Sequence, residues 1–212
     1  MRWWLLAIAF IGTVAWLRVS TSAVEEWDRA IAAEQQGDLE MAIDHYQYAV
    51  RWYTPFSSTP RNAADALERL ALQARQNGNT SLALRAYRRL RGAILATRGL
   101  FSPFEARRDA VNTALAELTA DQQLAAGGPT VRSRKRSQLV KDHRALLALD
   151  PIPSRLWSLA VILSFAAWVL GAFATIRRGF DENAKIQRRA FSRWGMFTAL
   201  SFGFWMLGLY NA

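Results

Sequence analysis

Charge is distributed in blocks along this chain. Residues 3–17, 156–176 and 194–212 carry none, whereas residues 18–155 hold 20 of the 27 basic and 15 of the 17 acidic residues. A globular chain intersperses polar and apolar positions so that each element has a wet face and a dry one; blocks this long indicate two different solvents. An α-helix rises about 1.5 Å per residue, so about 20 apolar residues cross the ~30 Å hydrocarbon layer of a bilayer. Residues 156–177 predict such a crossing, with Trp157 near its start and Arg177 and Arg178 at its end, where aromatic and basic side chains suit the interface. Residues 193–211 predict a second. Residues 1–19 predict a third and shorter one, whose apolar run also suits the core of a secretory signal peptide, with Ser20–Ala23 offering small residues for cleavage. Arg18 stands between the run and that site, and Trp3, Trp4 and Trp16 bracket the run. Both features favour an uncleaved anchor.

The connection at residues 178–192 belongs to a short stretch holding Arg177, Arg178, Lys185, Arg188, Arg189 and Arg193 against Asp181 and Glu182. Short basic loops stay cytoplasmic, while a long domain can be translocated despite its charges. The expected topology therefore puts this loop and the N-terminus inside and residues 18–155 outside, in the periplasm of a bacterial cell.

The polar middle repeats itself. Aligning Gly37 with Gly78 sets Ala42, Ile43 and Tyr46 over Ala83, Leu84 and Tyr87, with Ala30 and Ala33 matching Ala71 and Ala74 upstream. Each copy is followed by an aromatic–hydroxyl–proline–phenylalanine string, Tyr53–Phe56 and Phe101–Phe104. Gly can take the left-handed conformation that ends a helix. Asp38 and Asn79, immediately after the two glycines, are good N-caps for the next helix. Small residues let paired helices approach while Tyr and Leu fill the space between them. This pattern resembles the tetratricopeptide repeat, whose signature positions match Gly37, Ala42, Tyr46, Gly78, Ala83 and Tyr87. The 41-residue separation of Gly37 and Gly78 exceeds that family's 34, which makes residues 54–61 an expected insertion. The resemblance implies an all-α fold over residues 20–120, built of helical hairpins, beside the transmembrane helices.

Further along, Ser102–Glu105 reads as a capping box opening a fifth helix, with Val111, Ala114, Leu115 and Leu118 on its apolar face. That helix is expected to cap the open end of the repeat stack. Residues 121–155 read as a basic linker followed by a short amphipathic helix at 138–149 that leads into the membrane.

Composition adds little chemistry. The chain has no cysteine, so disulfides and thiolate metal sites are excluded. His45 and His143 are isolated in sequence, and phosphate loops, HExxH and GxSxG motifs are absent. No enzymatic activity, cofactor or small-molecule substrate is expected. Arg85, Arg88 and Arg89 crowd one helix of the second repeat and suit a solvated face or, alternatively, an acidic partner. The run Arg132, Arg134, Lys135 and Arg136 suits anionic lipid or an acidic partner rather than nucleic acid, given the topology. Ala167 and Gly171, then Gly195, Ala199 and Gly203, recur at the four-residue spacing that lets membrane helices pack closely. The function these features suggest is an inner-membrane scaffold that recruits other membrane or envelope proteins. The alternative is an accessory subunit of a transport or secretion machine, assembled through its C-terminal hairpin.

Overall fold

The computed structural model describes residues 3–98, 102–127, 135–149, 154–181 and 185–211, except for the side chains of residues 3–9 and 155. Among the described residues the secondary structure is eight α-helices and a single isolated bridge between Phe180 and Ile186. The chain is thus all-α. It divides into two compact units, residues 1–98 with 102–150, and residues 99–101 with 151–212.

The first unit contains α1 (Trp3–Gln35), α2 (Leu39–Arg51), α3 (Thr59–Gln76), α4 (Thr80–Ala96), α5 (Glu105–Ala126) and α6 (Arg136–Ala148). Two turns repeat atom for atom. Gly37 and Gly78 have φ of 80° and 73°. The Asp38 and Asn79 amides donate to the carbonyls of Ala33 and Ala74, both at 2.9 Å. The side chains of Asp38 and Asn79 accept from the amides of Met41 and Leu82 at 2.9 and 3.1 Å. Each turn thereby satisfies the ends of two helices at once.

The hairpins α1–α2 and α3–α4 stack through small residues. Ala30, Ala42, Ala71 and Ala83 are fully buried, with Tyr46, Leu67, Leu84 and Leu90 filling the spaces between. Burying each such large side chain contributes about 2 kcal/mol. Trp27 packs on Tyr46 with ring centroids 5.3 Å apart.

Across the boundary expected at residue 19, α1 runs unbroken from Trp3 to Gln35, roughly 50 Å of helix. Three sequence expectations are corrected. The connection after α2 is shorter than residues 54–61, since α3 already starts at Thr59 with Pro60 in its first turn. The capping box does not form: Phe104 is the N-cap of α5 without a side-chain bond, and Glu105 instead binds Arg98 and Arg108. Finally, α5 does not end the stack. Gly127 closes it in the left-handed conformation at φ 66°, and α6 packs back along α5 as a third hairpin. Arg136 pairs with Asp121 near the turn, and Asn112 bonds the Leu147 carbonyl near the other end.

The second unit is a hairpin of α7 (Arg155–Gly179) and α8 (Arg188–Asn211). Its helices extend into the predicted 178–192 loop from both sides, and at their facing ends the Gln187 amide donates to the Gly179 carbonyl at 2.8 Å. Among the described residues one helix, Leu156–Gly179, is long and apolar enough to cross a membrane. In α8 the uncharged stretch begins only after Arg193, and three glycines and two tryptophans dilute it.

Candidate functional site

The arginines of α4 meet the acids of α2. Successive hairpins bring the second helix of each copy side by side, so residues 41 positions apart face one another. Arg85 binds Glu40 and donates to Asp44 Oδ2 at 2.8 Å, while Arg89 Nε lies 2.9 Å from Asp44 Oδ1. The Asp44 carboxylate, foremost, holds the Arg85 guanidinium pKa above its ordinary value. Arg85 and Arg89 thus meet the two carboxylates, and the exposed Arg88 beside them has no ion pair among the described residues, which makes it the surplus charge of the cluster.

This array lines an open groove of about 650 Å³, floored by the buried Gln47 and by Gly92. Gly92 is in ordinary contact range there, since a Cβ would sit 3.6 Å from Gln47 Nε2. A second groove, about 310 Å³, shares Arg88 and Gly92 and continues between α4, α5 and α6 past Leu115, His143 and Leu146. The first groove is thus mainly polar, with Glu40 among its arginines, and the second is mainly apolar, with Arg88, Arg91 and His143 among its polar positions. Adjacent grooves of this kind offer charge in one and apolar contact in the other.

Half-buried and exposed polar side chains also join the hairpins. Tyr46 donates to Glu34 Oε2 at 2.8 Å, and Arg69 of α3 grips both oxygens of Glu34 at 2.8 and 2.9 Å. The Arg69 hydrogen bond, foremost, keeps the Glu34 carboxyl below the usual range, while burial above all raises the Tyr46 phenol. In the next copy Arg75 reaches Glu117 of α5 at 2.7 Å. Arg91 donates to Asn112 Oδ1 at 2.9 Å and to the Leu147 carbonyl at 3.2 Å, tying α4, α5 and α6 together.

The histidines are not isolated in space. His45 Nδ1 lies 2.7 Å from Glu26 Oε2, and His143 Nε2 lies 3.1 Å from Gln123 Oε1. Of the basic run, Arg132 and Arg134 lie outside the described residues. Lys135 is the N-cap of α6, and Arg136 forms a two-pronged pair with Asp121 at 2.6 and 2.8 Å. Among the described residues no cluster of three or more His, Asp or Glu side chains converges.

In the second unit the small residues divide between two faces. A Cβ on Gly171 would lie 2.9 Å from Phe197 and Thr198, and one on Gly208 would lie 2.9 Å from Val161. These glycines are where the two helices touch. Gly195 and Gly203 have nothing within 4 Å of a built Cβ, and Ala199 is exposed, so that stripe lies off the contact. Trp168 and Trp205 stack within 3° of parallel at 5.9 Å, and Arg178 sits 5.1 Å over the Trp194 ring. Ala167 lines a shallow depression on the other side of α7 beside Arg178 and Trp194.

Sequence reading found the arginines but not their partners. Glu40, Asp44, Gln47, Gly92 and Asn112 gain meaning only across helices. No protein-family model, curated protein or solved structure matches the chain.

Proposed function

We propose that the protein is a non-enzymatic scaffold of the bacterial inner membrane, whose tetratricopeptide-like hairpins lie in the periplasm and recruit envelope proteins. The observation that carries this reading is the continuity of α1. Phe10, Ile11, Val14 and Leu17 on it are exposed and apolar, while Ala23, Ala30 and Ala33 further along the same helix are buried in the hairpin stack. A helix that serves both lipid and core joins anchor and domain without a flexible link, which suits a platform better than a tethered enzyme. In this reading α1, α7 and α8 cross the bilayer, the basic turn between α7 and α8 stays in the cytoplasm, and the Arg88 grooves take an acidic segment of a partner. Neither nucleic acid nor a cofactor has a part in it.

Cross-linking in cells followed by purification in mild detergent tests the proposal. Partner proteins should accompany the intact chain and be lost from Arg88→Glu. A partnerless chain that still supports its cellular role contradicts it.

A second reading, an accessory subunit of a transport or secretion machine, draws on the stripe of Gly195, Ala199 and Gly203 that the hairpin leaves open. Leucine at those three positions should then abolish assembly while the hairpin stack stays folded. Unchanged assembly returns the weight to the scaffold.

A further inference from the structure

Phe56 is the one non-glycine residue with positive φ among the described residues, at 74°, and its side chain is 99% exposed. A bulky L-residue in the left-handed region is disfavoured by its Cβ, and an isolated phenylalanine in water gains nothing for it. The corresponding residue of the next string, Phe104, is buried against Tyr53. The string itself therefore does not dictate exposure.

The connection that carries Phe56 has a defined place beside α1. Thr54, two residues earlier and buried, has its hydroxyl 3.4 Å from that of Ser20. Ser20 follows Leu17, the last residue of the uncharged run, by three residues, about 4.5 Å of helix rise. The headgroup layer on each side of a bilayer is about 5–7 Å deep. If residues 3–17 are in hydrocarbon, the connection lies level with the headgroups. Its composition fits that layer. Trp52, at the end of α2, is also exposed, and Arg18, Arg51 and Arg61 around the connection are exposed cations. Aromatic rings and arginines are the side chains an interface retains.

We propose that Phe56 and Trp52 dip into the outer leaflet beside α1, where Arg18, Arg51 and Arg61 meet lipid phosphates, as a second, lateral attachment of the hairpin stack to the membrane. The attachment fixes the tilt of the stack, which α1 alone leaves free. It rests on the reading of residues 3–17 as a membrane anchor.

The chain has no cysteine, so single spin labels can be introduced cleanly. The full-length chain would be labelled at Phe56→Cys, Val14→Cys or Gln36→Cys in separate samples and reconstituted in vesicles of phosphatidylethanolamine with a minority of phosphatidylglycerol. Collision rates with oxygen and with a water-soluble nickel chelate are then compared. The label at 56 should show several-fold less chelate contact than the one at 36, near the opposite turn, with oxygen contact raised. A label at 56 as wet as that at 36, with 14 buried in lipid, overturns the attachment and leaves the anchor standing. Wet labels at both 14 and 56 overturn the anchor as well. Shielding of 56 in native membranes but not in pure lipid assigns Phe56 to a protein partner and overturns the lipid assignment.

Discussion

Phe56 and Phe104 hold equivalent places in the two aromatic–hydroxyl–proline–phenylalanine strings, yet the first is 99% exposed and the second 3%. The difference follows from what each connection meets. The Phe104 ring lies in the core, 5.8 Å from Tyr53 and edge-on to it, because α5 continues the stack there. Phe104→Ala should therefore cost about 3–4 kcal/mol of stability. Phe56→Gly should gain about 1 kcal/mol, since glycine adopts the positive φ without the Cβ penalty. Thermal unfolding of the full chain in detergent, followed by circular dichroism, checks both. A destabilised Phe56→Gly would mean that the exposed ring supports the fold after all.

Glu34 joins the first hairpin to the second through Tyr46 and Arg69, and the two ionisations set opposite limits on stability. The Glu34 pKa is depressed in the folded state, chiefly by the Arg69 hydrogen bond, so its contribution is present above the unfolded carboxyl value and lost as pH falls below about 4. The Tyr46 pKa is raised, chiefly by burial, so that contribution is complete below the unfolded phenol value and lost as pH rises past about 10. Unfolding midpoints across the pH range should show a plateau with both limbs. Glu34→Gln should flatten the acid limb, and Tyr46→Phe should lower the plateau by about 1 kcal/mol.

Asn112 is buried between Arg91 and the Leu147 carbonyl. Asn112→Ala leaves both without that partner, at a cost of about 1–3 kcal/mol. Because only Leu139 of α6 is buried, the loss should fall on α6 first. Hydrogen exchange is expected to quicken across Arg136–Ala148 while α1–α4 keep their protection. Uniform quickening would show that the third hairpin folds as one unit with the others.

How far the fold was legible depended on whether its signals were local. Gly37 with Asp38 and Gly78 with Asn79 carry both halves of a helix–turn–helix within two residues, so the first two hairpins are readable. The third is not, because Gly127 is followed by eight residues before α6 and that helix buries one side chain. Ser102–Glu105 has the spacing of a capping box, yet Glu105 is drawn to Arg98 and Arg108, which compete for the same carboxylate. Of the candidate site, the Arg85–Arg89 cluster was visible. Its pairing with Asp44 was hidden, because a 41-residue separation becomes a contact only once the hairpins stack. Likewise, four-residue spacing marked Gly171 and Gly195 alike, whereas only Gly171 meets the facing helix.

That division predicts contrasting variants. A Cβ at Gly171 would collide with Phe197 and Thr198 at 2.9 Å, so Gly171→Val should pry α7 from α8, at a cost of about 1–3 kcal/mol. Gly203→Val meets open space and should leave the hairpin intact. A cysteine pair across the contact, at Val161 and Gly208, reports the difference by its cross-linking yield. Equal loss from both variants would contradict the division of faces.

The proposed scaffold stands on its orientation, which cysteine accessibility measures most directly. Single cysteines at Gln36 and Ser192 would be exposed to a membrane-impermeant maleimide in bacterial cells with a permeable outer membrane and an intact inner one. Labelling of residue 36 in those cells, and of residue 192 only after the inner membrane is opened, is the predicted result. Labelling of 192 with protection of 36 would turn the hairpin stack into the cytoplasm and contradict the scaffold's periplasmic role.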